Sequence, residues 1–382
     1  MKKLASILLA AALLAALLTG CAGNGSGGSA ASNNASSGGT LTLNVYNWGE
    51  YISDGSEDSY DTVAEFEKWY QETYGQKVKV NYDTYASNED MYAKLSAGAV
   101  SYDVVIPSDY MIARMIAEDM LLPLNFDNIP NYSVIDANFK GLYYDPTDAY
   151  SVPYAYGIVG VIWNANAVDE ADAHGWDLLW NEKYSGQILQ FNNPRDAFGT
   201  AMYKLGIDVN TTDKAQWDAA CDELLAQRPL RYGLVMDEIY NLMESGEAAI
   251  GTYYAGDYFT MLDAQADNVD LRFYYPDPTN YYVDAMCVPK GCQNQELAEI
   301  FINFMLSRDA AVANAEYTYY ASPMSNVYTD EEYIDDMGEE AMEILYPEME
   351  DFAAAYNTYA YRNLPQDMLD YMNTLWENVK IN

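Results

Sequence analysis

Apolar and polar residues alternate over Leu41-Thr42-Leu43-Asn44-Val45, and Leu41, Leu43 and Val45 fall on one face, which predicts a half-buried strand. Val63, Phe66, Trp69 and Tyr70 then recur at three- and four-residue spacing, a helical pattern. Thr62 and Glu65 offer a capping box at its start and Gly75 a stop. Val78, Val80 and Tyr82 alternate as a second strand. Ser87 is placed to cap a helix that turns Met91 and Leu95 inward and closes at Gly98. Residues 102–107, Tyr-Asp-Val-Val-Ile-Pro, form a short apolar run of the kind buried in a parallel sheet, and 111–120 return to helix. Strand and helix taking turns in this way predict an α/β fold with a parallel sheet.

The second half repeats the theme. Residues 151–157 lead into Ile158-Val159-Gly160-Val161-Ile162-Trp163, a strand that begins a second sheet. Helices are expected over 176–184, 197–205, 212–225, 298–306 and 310–315. Another strand over 248–254 runs into Gly256, and 281–289 is expected to cross back to the first sheet. A closing helix over 365–379 places Leu369, Met372, Trp376 and Val379 on one face.

Composition narrows the chemistry. Of 382 residues, 58 are acidic and 19 basic, giving a formal net charge of −39. Nucleic acid is excluded as a partner, because phosphate binding needs a basic footprint. The 37 tyrosines offer apolar rings with polar tips, suited to a binding surface. His174 is the single histidine, which removes His-rich metal sites and a Ser-His-Asp triad. No cofactor or metal is called for. Beyond Cys21, the cysteines are Cys221, Cys287 and Cys292, an odd number without a CxxC pair, so neither a disulfide framework nor a zinc site is indicated. Whether Cys287 and Cys292 pair stays open.

Residues 1–20 combine Lys2 and Lys3 with an apolar run from Ile7 to Leu18, too short to span a membrane as a mature helix. The run ends in Leu18-Thr19-Gly20-Cys21, which resembles a bacterial lipobox and makes Cys21 the expected site of lipid attachment. Residues 21–40, rich in Gly, Ser, Asn and Ala, read as a flexible tether holding a body near a membrane on the outer face of the cell.

The first strand breaks into Asn47-Trp48-Gly49-Glu50-Tyr51, two aromatics around a carboxylate where a strand should end. Ligands gather at the carboxyl ends of strands in open α/β sheets, and two π-faces beside a negative charge suit an organic cation. Together, Tyr46-Asn47-Trp48-Gly49-Glu50-Tyr51, Thr84-Tyr85-Ala86-Ser87-Asn88-Glu89-Asp90-Met91-Tyr92-Ala93-Lys94-Leu95 and Tyr102-Asp103-Val104-Val105-Ile106-Pro107-Ser108 resemble, in order and spacing, the spermidine/putrescine-binding proteins of bacterial ABC importers. The likeness continues through Ser151-Val152-Pro153-Tyr154 to Ala321-Ser322-Pro323.

That resemblance implies a two-lobed periplasmic-binding-protein-like fold of type II, with the ligand between α/β lobes joined by crossover strands. The lobes are expected at 41–155 with about 284–330, and at 156–283 with about 331–382. It further implies a monomer that captures putrescine or spermidine and delivers it to ABC permease subunits. Carried over position by position, the ligand-binding residues are Trp48, Glu50, Tyr51, Ser108, Tyr110, Asp196, Tyr254, Tyr282, Asp284 and Tyr320. Asp284 stands out, since a carboxylate in so apolar a strand needs a partner. Asn193 departs from an acidic residue in the family pattern, and tyrosines replace tryptophans, which points toward a shorter diamine or another cation. Arg195 reads as the structural partner of Asp196. Two alternatives are the same fold with another cationic or small organic solute, and a cell-surface hydrolase pairing Glu50 with Asp284.

Overall fold

The computed structural model describes residues 39–381; the expected leader, Cys21 and nearly all of the expected tether lie outside them. Nine strands form one sheet: β1 Leu41–Trp48, β2 Val78–Tyr85, β3 Val104–Val105, β4 Ser151–Asn164, β5 Ile188–Phe191, β6 Arg231–Val235, β7 Ile250–Tyr254, β8 Leu271–Tyr274 and β9 Tyr281–Cys287. Their order is β2-β1-β3-β9-β4-β7-β5-β6, with β8 paired to β4. β1 runs parallel to β2 and β3, and β5 runs parallel to β6 and β7. Between these two parallel sets, β4 and β9 lie antiparallel to each other and to their outer neighbours.

β4 is the spine. It was expected to start at residue 158, but it is one continuous strand of 14 residues, all buried. Its first part, Ser151 to Ile158, pairs with β9, and Val159 onward pairs with β7 and β8. Gly157 permits this crowding, because a Cβ there would stand 2.4 Å from the Tyr282 hydroxyl on β9.

Thirteen helices cover the described sheet: α1 Thr62–Tyr74, α2 Asn88–Ser96, α3 Asp109–Ala117, α4 Pro194–Leu205, α5 Lys214–Gln227, α6 Glu238–Glu244, α7 Ala255–Ala264, α8 Gln295–Met305, α9 Arg308–Thr318, α10 Ser325–Tyr328, α11 Glu331–Leu345, α12 Met349–Tyr359 and α13 Gln366–Lys380. Ser87 caps α2 as expected, accepting from the Asp90 amide at 3.1 Å. α1 is capped one residue earlier than its pattern suggested: Asp61 accepts from the Ala64 amide at 2.9 Å. The Thr62 hydroxyl is taken instead by buried Asn314, 2.8 Å away, a long-range contact that outcompetes the local cap.

The expected helix over 176–184 is two 3₁₀ turns, Trp176–Trp180 and Glu182–Tyr184. Asn181 divides them by accepting the Lys183 amide at 3.1 Å. On α13 the buried face carries Met368 in place of Leu369, together with Met372, Trp376 and Val379. Cys221, Cys287 and Cys292 are free thiols, so Cys287 and Cys292 are not joined. Among the described residues no helix is long and apolar enough to cross a membrane.

Candidate functional site

The carboxyl ends of the parallel strands converge on one cleft. Trp48 ends β1, and Gly49 and Tyr51 follow it; Tyr85 ends β2, and Ala86 to Glu89 lead into α2; Ser108, Asp109 and Tyr110 follow β3. From the other side come Asn193 and Asp196 after β5, Met236 and Asp237 after β6, and Tyr254 and Asp257 at the end of β7. β9 crosses the cleft and presents Asn280, Tyr282 and Asp284.

Of the residues expected to bind ligand, Trp48, Tyr51, Ser108, Tyr110, Asp196, Tyr254, Tyr282, Asp284 and Tyr320 are brought together here. Glu50 is not. It is exposed, in the turn that ends β1, with φ +49°, and it does not line the cleft. The strand stops at Trp48, so the alternation that aimed Glu50 inward ends before reaching it.

Each carboxylate in the cleft is met by tyrosine or backbone donors. Tyr51 donates to Asp284 Oδ2 at 2.7 Å, and Tyr320 donates to Asp257 Oδ2 at 2.6 Å, while Tyr240 donates to Asp257 Oδ1. Tyr254 donates to Asp196 Oδ2 at 2.8 Å, Tyr110 to Glu89 Oε1 at 3.0 Å and Tyr253 to Asp237 Oδ1 at 3.0 Å. Asp109 takes the amides of Tyr110 at 2.6 Å and Val283 at 3.3 Å. Among the described residues no lysine, arginine or histidine lines the cleft.

Burial away from water is the largest influence on the protonation of Asp284, Asp257, Asp109, Asp196 and Glu89. It pushes Asp284 up to about 6, against the opposing influence of the nearby Ser108 and Tyr51 hydroxyls. Asp257 rises to about 7 for the same reason, despite the hydroxyls of Tyr240 and Tyr320. Asp109 also reaches about 7 through burial. Asp196 and Glu89 are raised, again by burial first. Carboxyls buried together without a basic side chain among them suit a positively charged partner.

The aromatics supply walls. Trp48 spends its indole N–H on the Ile106 carbonyl at 2.9 Å, which leaves its ring as the contact surface. Tyr51 packs edge to face on Tyr320, with ring centroids 4.5 Å apart, and Tyr254 meets Tyr282 at 5.4 Å. Three buried polar atoms of the lining, Asn280 Oδ1, the Tyr282 hydroxyl and Asp284 Oδ1, have no hydrogen-bond partner within the protein.

Other lining groups were not assigned from the sequence. Asp257 lies three residues after Tyr254, one turn into α7, which puts both on one face. Glu89, Asp109, Tyr240, Tyr253 and Tyr361 gave no local signal beyond their type. Asn193 caps α4: its Oδ1 accepts the Asp196 amide at 2.8 Å and its Nδ2 donates to Asp196 Oδ2 at 2.7 Å. Arg195 is structural, as expected, but not as a direct ion pair with Asp196. Its guanidinium donates to the Val209 carbonyl at 2.8 Å, to Asn210 Oδ1 at 2.8 Å and to the Arg362 carbonyl at 3.3 Å. Among the described residues no group of three or more His, Cys, Asp or Glu side chains is placed to hold a metal ion.

Residues 61–340 match the family model described as bacterial extracellular solute-binding protein. The spermidine/putrescine-binding periplasmic protein of Escherichia coli is 33% identical over 286 residues, covering 74% of this chain and 77% of its own. Among solved structures, the spermidine/putrescine ABC transporter substrate-binding protein of Streptococcus pneumoniae is 32% identical with a TM-score of 0.69, over 90% of this chain and 99% of that one. A lipoprotein of Treponema pallidum is 26% identical with a TM-score of 0.68, over 89% of this chain and all of that one. With the sheet order and the cleft at its strand ends, these matches establish that the chain belongs to the bacterial extracellular solute-binding proteins.

Proposed function

We propose that the cleft captures a polyamine, putrescine or spermidine, for uptake by an ABC importer. The observation that carries this is a tyrosine-walled cleft lined by Glu89, Asp109, Asp196, Asp237, Asp257 and Asp284 and by no basic side chain. Ammonium groups satisfy the carboxylates through charge-assisted hydrogen bonds, and the rings cover the methylenes between them. Asp284, Asp257 and Asp196 are the main ammonium partners, with Trp48, Tyr51, Ser108, Tyr110, Tyr254, Tyr282 and Tyr320 completing the walls. Asp257 supplies a carboxylate that Asn193 does not, in keeping with a diamine.

Two lobes divide near Ile158 and Val159, where β4 exchanges β9 for β7, and close over the ligand so that the permease meets the closed form. The body acts as a monomer, tethered outside the cell through lipid on Cys21; the likeness to a lipoprotein supports that anchor. Capture without turnover fits the geometry, because Glu50 lies outside the cleft and does not face Asp284 as a hydrolytic pair would.

Calorimetric titration of residues 39–382 with putrescine, cadaverine and spermidine tests this, repeated on Asp284→Asn. Saturable binding that collapses in the variant is the expected result. No heat and no thermal stabilisation from any polyamine, with folded protein, refutes it.

A further inference from the structure

We propose that Asn314, on α9 and outside the cleft, is a positioning residue that sets Tyr51 against Tyr320 and so aims both hydroxyls at their carboxylates. This deepens the polyamine reading and rests on it. Tyr51 sits in a turn that is held from outside. Glu50, just before it, is left-handed at φ +49°, a conformation that a non-glycine residue keeps only where its surroundings fix it. The Tyr154 hydroxyl donates to the Tyr51 carbonyl at 2.8 Å and ties this residue to β4. The other tie comes from α9. Asn314 Oδ1 accepts the Ser53 amide at 2.9 Å, two residues beyond Tyr51, and the Thr62 hydroxyl at 2.8 Å. Thr62 N–H in turn donates to the Ser53 carbonyl at 3.1 Å. One side-chain oxygen thus closes the base of the loop from Ser53 to Thr62 and pins it to a helix.

The backbone of the same residue leads to Tyr320. The Asn314 carbonyl accepts the Thr318 hydroxyl at 2.7 Å, and that hydroxyl accepts the Tyr320 amide at 3.3 Å. Tyr319 turns left-handed at φ +57° and ends α9, which swings Tyr320 toward the cleft. The Tyr51 and Tyr320 rings then pack edge to face at 4.5 Å, while their hydroxyls go to Asp284 and Asp257. Asn314 is 3% exposed, and neither it nor Ser53 nor Thr62 lines the cleft. Its Nδ2 has no hydrogen-bond partner, so the side chain serves the loop as an acceptor alone. Packing by itself would accept an apolar side chain here, whereas holding the Ser53 amide requires an acceptor. Without one, the loop is free to shift and carries the Tyr51 hydroxyl off Asp284 and its ring off Tyr320.

The test titrates putrescine calorimetrically into the wild-type protein, Asn314→Ala, Asn314→Asp, Tyr51→Phe and the double variant Asn314→Ala/Tyr51→Phe, at one temperature well below all their melting transitions. Asn314→Ala is expected to weaken putrescine about fivefold in fully folded protein, the size of one lost hydrogen bond. Asn314→Asp keeps the acceptor and should retain more affinity than Asn314→Ala, although burying a carboxyl there lowers its melting temperature. A purely structural role would move the melting temperature and leave the affinity of folded protein unchanged. The double variant should be weakened by less than the product of the two single effects, because Asn314 acts through the hydroxyl that Tyr51→Phe removes. Affinity of folded Asn314→Ala within about twofold of wild type, or single effects that multiply in full in the double variant, would overturn the assignment. Wild-type protein that binds no polyamine would instead bring down the reading on which it rests.

Discussion

Affinity for a diamine should fall steeply as pH drops from 8 to 5. In the empty cleft Asp257 titrates at about 7 and Asp284 at about 6, both raised by burial. An ammonium partner favours the ionised form of each, so binding at low pH must first remove a proton from both. At pH 5 that penalty is about a hundredfold for Asp257 and about tenfold for Asp284, together about a thousandfold or about 4 kcal/mol. At pH 8 it is close to nothing. The ligand contributes little, because an alkyl ammonium stays protonated throughout, as a lysine does near 10.4. Asp109 is left out of the sum, since backbone amides occupy both of its oxygens. Titration calorimetry in two buffers of different ionisation enthalpy reads the released protons directly. More should leave at pH 6 than at pH 7, and close to none at pH 8. An affinity constant within a few-fold from pH 8 to 5, with no buffer dependence of the heat, would refute the reasoning. Asp257→Asn should remove the part of the pH dependence centred near 7.

The same shifts act on stability with a definite sign. Asp109 and Asp257 bind protons more tightly folded than unfolded, where they titrate near 3.9, so their contribution is full below that value and lost as pH rises to about 7. Thermal melts of ligand-free protein should therefore show Tm falling from pH 4 to 7, and saturating putrescine should restore it most at the upper end. Tyr51→Phe removes the donor to Asp284 without a large change of shape, and calorimetry should show binding weakened by about 1 kcal/mol, with Asp284 titrating higher in a pH series. Gly157→Ala should cost affinity beyond any change in melting temperature, because the added methyl meets the Tyr282 hydroxyl at 2.4 Å and pushes that ring into the cleft. Glu50→Gln should leave putrescine affinity within about twofold, since that side chain is outside the cleft.

The sequence by itself determined the elements whose signal is local. Strand periodicity located β1 and β2, the apolar run at 102–107 located β3, and the Ser87 cap and the Gly75 stop bounded their helices, because each depends on residues within one turn or one strand. Asp284 was legible for a similar reason: a lone carboxylate in an apolar strand declares an unmet need. Where a side chain had a choice of partners, tertiary structure decided. Thr62 left its cap for Asn314, 252 positions away, and Arg195 turned from Asp196 to the carbonyls of Val209 and Arg362. Glu50 turned outward because β1 ends two residues earlier, while Asp257 and Glu89 entered the cleft from α7 and α2. Those outcomes depend on how a continuous β4, with β9, joins the two parallel sets of strands in one sheet, and no window of neighbouring residues carries that arrangement.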